Sequence, residues 1–189
     1  MTTEPLAGGG CVCPARHSWA LTIPGRRLVH NPTRILAGLA GPGDTVADLG
    51  CGPGYFTLPL ARAVGAGGRV VAVDLQPTML EKLKARALRA GLSERIVLHA
   101  CAADTLGELP TLDAAFAFYM VHEVPDVARF LGEVAAALRP GGLLLMIEPK
   151  GHVSEDSWRA TIEVATAAGL EPVEPRRVLS SRGLLLSRV

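Results

Sequence analysis

The stretch DLGCGPG, residues 48–54, follows the short apolar run Thr45-Val46-Ala47 and decides how the chain folds. Glycine at alternate positions permits backbone angles that other residues avoid, and it lets a ligand approach the main chain closely. The stretch therefore predicts a ligand-binding loop that comes directly after a β-strand.

Short apolar runs and helical segments alternate on both sides of this loop. Short, continuous apolar runs are typical of strands that are buried on both faces of a parallel sheet. Because parallel strands need crossover connections, the alternation predicts an open, three-layer α/β sandwich. The predicted strands are Thr45–Ala47, Arg69–Val73, Arg95–Leu98, Ala114–Tyr119 and Leu143–Ile147.

Proline and glycine set the limits of the clearest helices. One helix is predicted to open at Pro77, with charged residues on its outer face, and to stop at Gly91. Another follows Pro125 and is predicted to end at the breaker run of residues 140–142, Pro-Gly-Gly.

Capping signals set the start of the other helices. Ser154 is the predicted N-cap of a late helix. The helix after the glycine loop is expected to start near Thr57, because Pro59 is tolerated only in a first turn. A short helix is predicted from Pro32, and the preceding Asn31 either caps it or, with its neighbour at position 30, closes over a ligand.

The two ends of the chain depart from the alternation. Residues 1–31 are rich in glycine, proline and isolated charges without a period, so we expect an arm or cap beside a domain of residues 32–189. Leu170–Pro175 and Gly183–Val189 have the composition of strands, and their connection is too short for a helix. They are therefore predicted to pair in antiparallel fashion.

Charge and hydropathy limit the classes of partner. Nineteen basic residues balance 18 acidic ones, so there is no electrostatic reason to expect nucleic acid or a membrane surface as a partner. No run approaches the roughly 18 apolar residues of a membrane span, and the N-terminus lacks the order of a signal peptide. We expect a cytoplasmic protein.

Cysteine spacing offers a weak metal pattern near the N-terminus. Cys11 and Cys13 lie close to His17, but zinc normally takes four ligands in paired spacing, so we expect no metal. Thiols at these positions are also able to bind a soft acceptor such as arsenite.

Three ligands compete for the glycine loop. A dinucleotide fingerprint needs a small residue at position 55 and free N–H groups, whereas this chain has Tyr55 and the N–H-less Pro53. A P-loop would need a following Gly-Lys-Ser/Thr, which is absent from the sequence here. The remaining interpretation is a nucleoside ligand without phosphates.

Acidic residues follow three of the predicted strands. Asp48, Asp74 and Asp104 would meet at one edge of a parallel sheet. Ionised carboxylates accept hydrogen bonds from ribose hydroxyls or amines, and they would repel a pyrophosphate and attract a sulfonium.

The motifs VADLGCGPGYFTLPLA (residues 46–61) and VVAVDLQPTML (residues 70–80) together resemble the class I S-adenosylmethionine-dependent methyltransferases. The likeness is strongest to the small-molecule branch that includes quinone-biosynthesis C-methyltransferases, and the motifs CAAD, AFYMVHEVPD and LRPGGLLLMIEPK extend it. It implies a Rossmann-like, seven-stranded sheet of order 3-2-1-4-5-7-6 with strand 7 antiparallel. That order agrees with the predicted C-terminal hairpin.

The resemblance also implies roles for individual residues. The glycines would lie against the methionine and ribose of S-adenosylmethionine, Asp74 would hold the ribose diol, and four further residues would surround the adenine. The implied cofactor-binding set is Asp48, Gly50, Gly52, Gly54, Asp74, Leu75, Met79, Ala103, Asp104 and Tyr119.

The segment after the fourth strand, residues 119–123, would face the methyl acceptor. His122 is the candidate catalytic residue, because histidine exchanges a proton near neutral pH. The alternatives are a structural role or a cofactor contact. Glu123 either shares this role or caps the next helix, and Lys150 and His152 reach the same edge of the sheet.

The function implied by the resemblance is methyl transfer from S-adenosylmethionine to a small-molecule acceptor by in-line displacement. The alternative is a non-catalytic module that binds the cofactor or its product and acts through a partner. A nucleotide oxidoreductase is a third option, which Pro53 and Tyr55 disfavour. Association of two or more copies stays open, since oligomerisation can complete a pocket.

Overall fold

A seven-stranded sheet runs through residues 30–189, the part of the chain that the computed structural model describes. Its order is β3-β2-β1-β4-β5-β7-β6, in which β1 to β5 are parallel and β7 is antiparallel to both of its neighbours. The predicted architecture, strand order and C-terminal hairpin are confirmed. The strands are β1 (Thr45–Leu49), β2 (Arg69–Asp74), β3 (Ile96–Ala100), β4 (Leu112–Phe118), β5 (Leu138–Pro149), β6 (Leu170–Pro175) and β7 (Ser181–Arg188).

Helices cover both faces of this sheet. Successive residues of a strand point to opposite faces, so Val46 packs on one side and Ala47 on the other. This two-sided burial explains why the strands appear in the sequence as unbroken apolar runs. The α-helices are α1 (Pro32–Ile35), α2 (Thr57–Ala63) and α3 (Pro77–Arg89) on one face, and α4 (Val127–Ala137) and α5 (Glu155–Ala167) on the other.

The predicted helix starts are confirmed by their caps. The side chain of Asn31 accepts the N–H of Thr33 at 3.0 Å, which supports the N-cap alternative for that residue. The Ser154 hydroxyl accepts the N–H of Ser157 at 3.1 Å. Helix α2 begins at Thr57, so the proline two residues later falls in the first turn, where it costs no hydrogen bond.

The predicted end of α4 and start of β5 are wrong. The helix ends at Ala137, and β5 begins at Leu138 rather than at Leu143. The breaker run of residues 140–142 therefore lies inside the strand. Proline is tolerated there because the ladder between β4 and β5 shifts register between Leu112 and Ala114, and an irregular ladder needs fewer N–H donors.

The carboxyl ends of β1, β2, β4 and β5 meet at one edge of the sheet, because these strands are parallel. The glycine loop follows β1 at this edge. Because β1 lies between β2 and β4, the loop has a strand on each side. Within the described residues, no helix has the length and apolar character that crossing a membrane requires.

Candidate functional site

A cleft of about 480 Å³ opens at the carboxyl edge of the sheet. Such a volume suits a small organic ligand, since binding sites for such ligands usually measure about 300–1,000 Å³. The structure brings ten of the eleven predicted site residues together here, and their contacts with a ligand stay predictions. These ten are Asp48, Gly50, Gly52, Asp74, Leu75, Met79, Ala103, Asp104, Tyr119 and His122.

Gly54 is the exception, and its predicted contact with the cofactor stays a prediction that the lining of the cleft does not support. It lies outside the lining of the cleft and has a φ of +85°. A Cβ atom added to it would lie 2.3 Å from Cδ1 of Leu83, a fully buried side chain of α3. The last glycine of the loop thus lets a helix pack closely, and it does not contact the ligand space.

Backbone hydrogen bonds hold the rest of the loop against the sheet. The N–H of Cys51 donates to the carbonyl of Val73 in β2 at 2.9 Å. On the side of β4, Gly50 has a φ of +69°, and an added Cβ would lie 3.2 Å from the Met120 side chain. The loop therefore has little freedom to move at the floor of the cleft.

The carboxylate of Asp74 joins the loop to the start of α3. One oxygen accepts the N–H of Gly52 and the other accepts the N–H of Gln76, both at 2.8 Å. Burial raises the pKa of Asp74, and the two hydrogen bonds oppose this shift. Each carboxylate oxygen has a second lone pair, so Asp74 keeps acceptor capacity for a ligand in the cleft.

Asp48 lies deeper, at the end of β1. It is buried, and one of its oxygens accepts the hydroxyl of Thr57 at 2.5 Å. Burial raises the pKa of Asp48, the hydrogen bond from Thr57 opposes this rise, and the charge of Asp74 adds a smaller rise, so that the pKa is about 7. Near neutral pH this carboxyl group is consequently only partly ionised.

Asp104 lies at the rim of the cleft, with 68% of its side chain exposed. Its Oδ2 lies 3.4 Å from Nη1 of Arg129 in α4. The three acids predicted as one negative cluster thus differ in character: one is partly protonated, one is bound to the loop, and one is paired at the surface.

Glu133 of α4, which the sequence analysis did not single out, holds the loop that carries Asp104. Its carboxylate accepts the N–H of Leu106 at 2.6 Å and the hydroxyl of Thr105 at 3.0 Å. These two partners lie 27 and 28 residues away in the chain, so no local pattern in the sequence predicts that Glu133 holds this loop.

His122 has a buried acidic partner that the sequence analysis also missed. Its Nδ1 is hydrogen-bonded to Oε2 of Glu148, whose other oxygen accepts the N–H of Val121 at 2.8 Å. The hydrogen bond to Glu148 raises the pKa of His122, and burial of the ring opposes the shift. A signal was present in the sequence, because Glu148 is an acid that directly follows the apolar run of β5.

Tyr119 leaves the sheet with a positive φ of 58°, so β4 ends one residue earlier than predicted. Its hydroxyl is hydrogen-bonded to Ser181 at 2.5 Å and to Nε2 of His30 at 3.1 Å. Its ring stacks on Phe118 with a centroid distance of 4.1 Å. Strained backbone of this kind recurs at functional sites, and here it turns the chain towards His122.

The other candidate residues from the sequence differ in whether they line the cleft. His152 lines the cleft, and its ring centroid lies 6.1 Å from that of His122. Lys150 does not line the cleft. Cys11, Cys13 and His17 lie outside the described residues.

The charge of the lining distinguishes this cleft from a phosphate site. Among residues 30–189, no lysine or arginine lines it, and no group of three or more His, Cys, Asp or Glu side chains there is arranged to hold a metal ion. Pro53, which has no N–H, lies in the lining as well. The cleft therefore suits an uncharged or cationic ligand better than a diphosphate.

Known proteins share this architecture. The family described as "Methyltransferase domain" matches residues 46–142. The chain is 38% identical over 102 residues to a ubiquinone biosynthesis O-methyltransferase of Methylocella silvestris, an alignment that covers 54% of this chain and 38% of that protein. It is 31% identical over 107 residues to a demethylmenaquinone methyltransferase of Bacillus cytotoxicus, covering 57% and 45%. The chain thus spans less than half the length of either relative.

A solved structure extends the likeness to the whole fold. The crystal structure of a SAM dependent methyltransferase from Aquifex aeolicus matches 94% of this chain and 100% of its own, with a TM-score of 0.83 and 23% identity. At 23% sequence identity this likeness is evidence for a shared fold.

Fold and cleft define an α/β protein with a cleft at the carboxyl edge of its sheet, and the family match covers just over half of the chain. The chain belongs to the class I S-adenosylmethionine-dependent methyltransferases, whose cofactor is S-adenosylmethionine.

The packing role of Gly54 is tested by Gly54→Ala with Gly38→Ala as the matched control. Both positions have a positive φ, but an added Cβ at Gly38 meets no atom within 4 Å. We expect Gly38→Ala to cost about 1 kcal/mol of unfolding free energy from backbone strain, and Gly54→Ala roughly 1–3 kcal/mol more from crowding of Leu83. Urea denaturation measures both. Equal losses would contradict the packing role.

The state of Asp48 is tested by the pH dependence of stability. The pKa of Asp48 lies at about 7 in the folded protein, above its ordinary value of 3.8. The folded state therefore binds this proton more tightly, so the contribution to stability falls as pH rises from about 4 to about 7. We expect Asp48→Asn to match the wild type near pH 4 and to exceed it above pH 7, by at most roughly 4 kcal/mol.

Asp156→Asn, at an exposed position in the first turn of α5, is the control for this experiment. It removes one carboxylate from the surface, so it separates the loss of an acid as such from the loss of the buried acid. Parallel stability curves for Asp48→Asn and the wild type would show that the Asp48 pKa is not raised.

Proposed function

We propose that this chain binds S-adenosylmethionine in the cleft and transfers its methyl group to a small-molecule acceptor by in-line displacement. The observation that carries the proposal is the arrangement of the glycine loop on Asp74. The loop backbone lies at the floor of the cleft, and Asp74 retains acceptor capacity beside it.

In this proposal the residues divide along the length of the ligand. Gly50 and Gly52 admit the methionine portion close to the backbone, and Asp74 accepts the two ribose hydroxyls. Leu75 and Met79, at the start of α3, contact the adenine ring.

The loop held by Glu133 supplies the other contacts with the adenine. Ala103 and Asp104 meet the other edge of the ring from this loop. Asp48 and Tyr119 are the remaining residues of the proposed cofactor site.

The charges in the lining support a sulfonium ligand. When bound, S-adenosylmethionine supplies a methyl group already activated by a positively charged sulfur. Asp74 and the partly ionised Asp48 place negative charge in a cleft that lacks lysine and arginine among the described residues. Coulomb attraction favours the cation over the uncharged product, so the same charges assist product release.

The protein's own contribution to the reaction is position and exclusion of water. Because the methyl group needs no further activation, holding the acceptor in line supplies most of the rate enhancement. Apolar and aromatic walls from Phe118, Val124, Pro125 and Phe130 keep the acceptor side dry. Both relatives described above are named as quinone-biosynthesis methyltransferases, which supports a small apolar acceptor.

Calorimetry with S-adenosylhomocysteine tests the cofactor site. Loss of charge-assisted hydrogen bonds to the ribose should weaken binding to Asp74→Asn by about 1.5–3 kcal/mol, which is roughly a tenfold to hundredfold change in Kd. Because Asp74 also holds Gly52 and Gln76, the variant's thermal stability is measured alongside. Asp156→Asn is the matched control and should bind as the wild type does.

A folded wild-type chain that fails to bind S-adenosylhomocysteine would refute the cofactor proposal. Consumption of labelled S-adenosylmethionine with a panel of quinols, thiols and amines separates an enzyme from a module that binds the cofactor without turnover. Binding without methylation of any acceptor would favour the non-catalytic module.

A further inference from the structure

Within residues 30–189, the buried carboxylate behind His122 has no lysine or arginine partner. Glu148 is only 2% exposed, and the hydrogen bonds described for it come from Val121 N–H and the His122 ring. A carboxylate is costly to bury unless it is hydrogen-bonded or paired. The hydrogen bond from the Val121 N–H would be enough to fix the turn after β4. The second hydrogen bond, to His122, therefore needs a separate explanation.

The hydrogen bond determines which ring nitrogen of His122 carries the proton. Glu148 at ordinary pH is an acceptor, so Nδ1 must donate to it. In the neutral ring, Nε2 is then the unprotonated nitrogen and the one able to take up a proton. His122 lines the cleft with 24% of its side chain exposed, which leaves Nε2 for a ligand.

Among the residues that the structure describes, three ionisable groups face the His122 ring. Glu148 of β5 bonds to it directly, Glu123 follows it in the same turn, and His152 approaches from the segment after β5. Both acids stabilise a protonated ring, whereas a protonated His152 would oppose it. The sum of these charges is negative, so the charges around His122 stabilise its protonated ring.

We infer that Nε2 of His122 accepts a proton from the methyl acceptor, that Glu148 is the positioning residue which orients the ring for this role, and that the acceptor is an uncharged aromatic hydroxyl compound. This inference rests on the proposed function. It adds a residue, Glu148, and a substrate class.

The substrate class follows from the chemistry that a histidine base can serve. An aromatic hydroxyl with a pKa near 10 is largely protonated at neutral pH, yet it is acidic enough for a histidine base to remove its proton. A thiol ionises more readily and needs the base less, and an aliphatic hydroxyl is too weak an acid. Acidic side chains and the apolar wall of Phe118 and Phe130 disfavour an anionic acceptor.

The proton step balances as follows. The O–H bond of the acceptor breaks, its electron pair stays on oxygen, and the lone pair of His122 Nε2 forms the new N–H bond. The oxygen bonds to the methyl carbon, and the electron pair of the broken carbon–sulfur bond leaves with the thioether product. The imidazolium later releases its proton to water.

Nuclear magnetic resonance of ¹⁵N-histidine tests the positioning role without an acceptor. We expect the wild type to hold the proton of neutral His122 on Nδ1. Glu148→Gln should lower the pKa of His122, because the stabilising charge is removed. Glu123→Gln is the matched control: it removes one nearby negative charge, leaves the hydrogen bond intact, and should keep the tautomer on Nδ1.

Turnover tests the base and the acceptor class. With catechol and 1,4-dihydroxynaphthalene as probes at pH 7, His122→Gln should lose roughly 10²–10⁴-fold in kcat, with S-adenosylhomocysteine affinity unchanged. Glu148→Gln should lose less, and the acidic limb of its pH profile should move to lower pH. Nitrocatechol is already ionised at neutral pH and needs no base, so both variants should methylate it at close to the wild-type rate, although the cleft binds an anion less well in all three proteins.

Four outcomes overturn the inference. They are a neutral His122 with its proton on Nε2 in the wild type, an unchanged His122 pKa in a folded Glu148→Gln, full catechol turnover by His122→Gln, and methylation of 2-mercaptoethanol or benzylamine but of neither hydroxyarene. The first and third need no Glu148 variant, so the inference is tested even if Glu148→Gln does not fold. Failure of the wild type to bind S-adenosylhomocysteine would instead refute the proposed function.

Discussion

The rest of the site depends on one carboxylate, that of Asp74, which accepts an N–H from the glycine loop and an N–H from the start of α3. A single buried acid thereby sets the distance between the loop after β1 and the helix after β2. Loop and helix form two walls of the cleft, so its width follows from these bonds. An acid that both shapes a site and lines it is hard to replace, because any substitute changes the geometry and the chemistry together.

Burial gives the acids of the cleft different properties, although they look alike in the sequence. Deep burial leaves Asp48 partly protonated near neutral pH, whereas Asp104 is exposed and paired with Arg129. The difference matters for a sulfonium ligand, because three full negative charges in one small cleft would destabilise the empty protein. The arrangement keeps negative charge in the cleft for the ligand, and it limits the repulsion between the acidic side chains before the ligand binds.

The side of the cleft that we propose for the acceptor is built by β4 and β5, which end next to each other in the sheet. The strained turn at Tyr119 and the buried Glu148 bring His122 to the cleft from these two strands. Strand β5 thus contributes more than packing, since its last residues supply the partner of the candidate base. The cofactor side is held by Asp74 and the acceptor side by Glu148, so each half of the site has a buried acid behind it.

Local patterns were enough to predict an open α/β sheet, the C-terminal hairpin and the helix caps at Asn31 and Ser154, whereas the strand order and the set of residues expected to bind the cofactor came from the resemblance to a known family. Apolar runs, breakers and acids after strands act over a few residues and appear directly in the sequence. Tertiary structure alone decided the start of β5, the packing role of Gly54 against Leu83, and the pairing of His122 with Glu148. These features depend on contacts between residues 26 or more positions apart, or on register within the sheet, and burial, which sets the pKa of Asp48, exists only after the chain has folded.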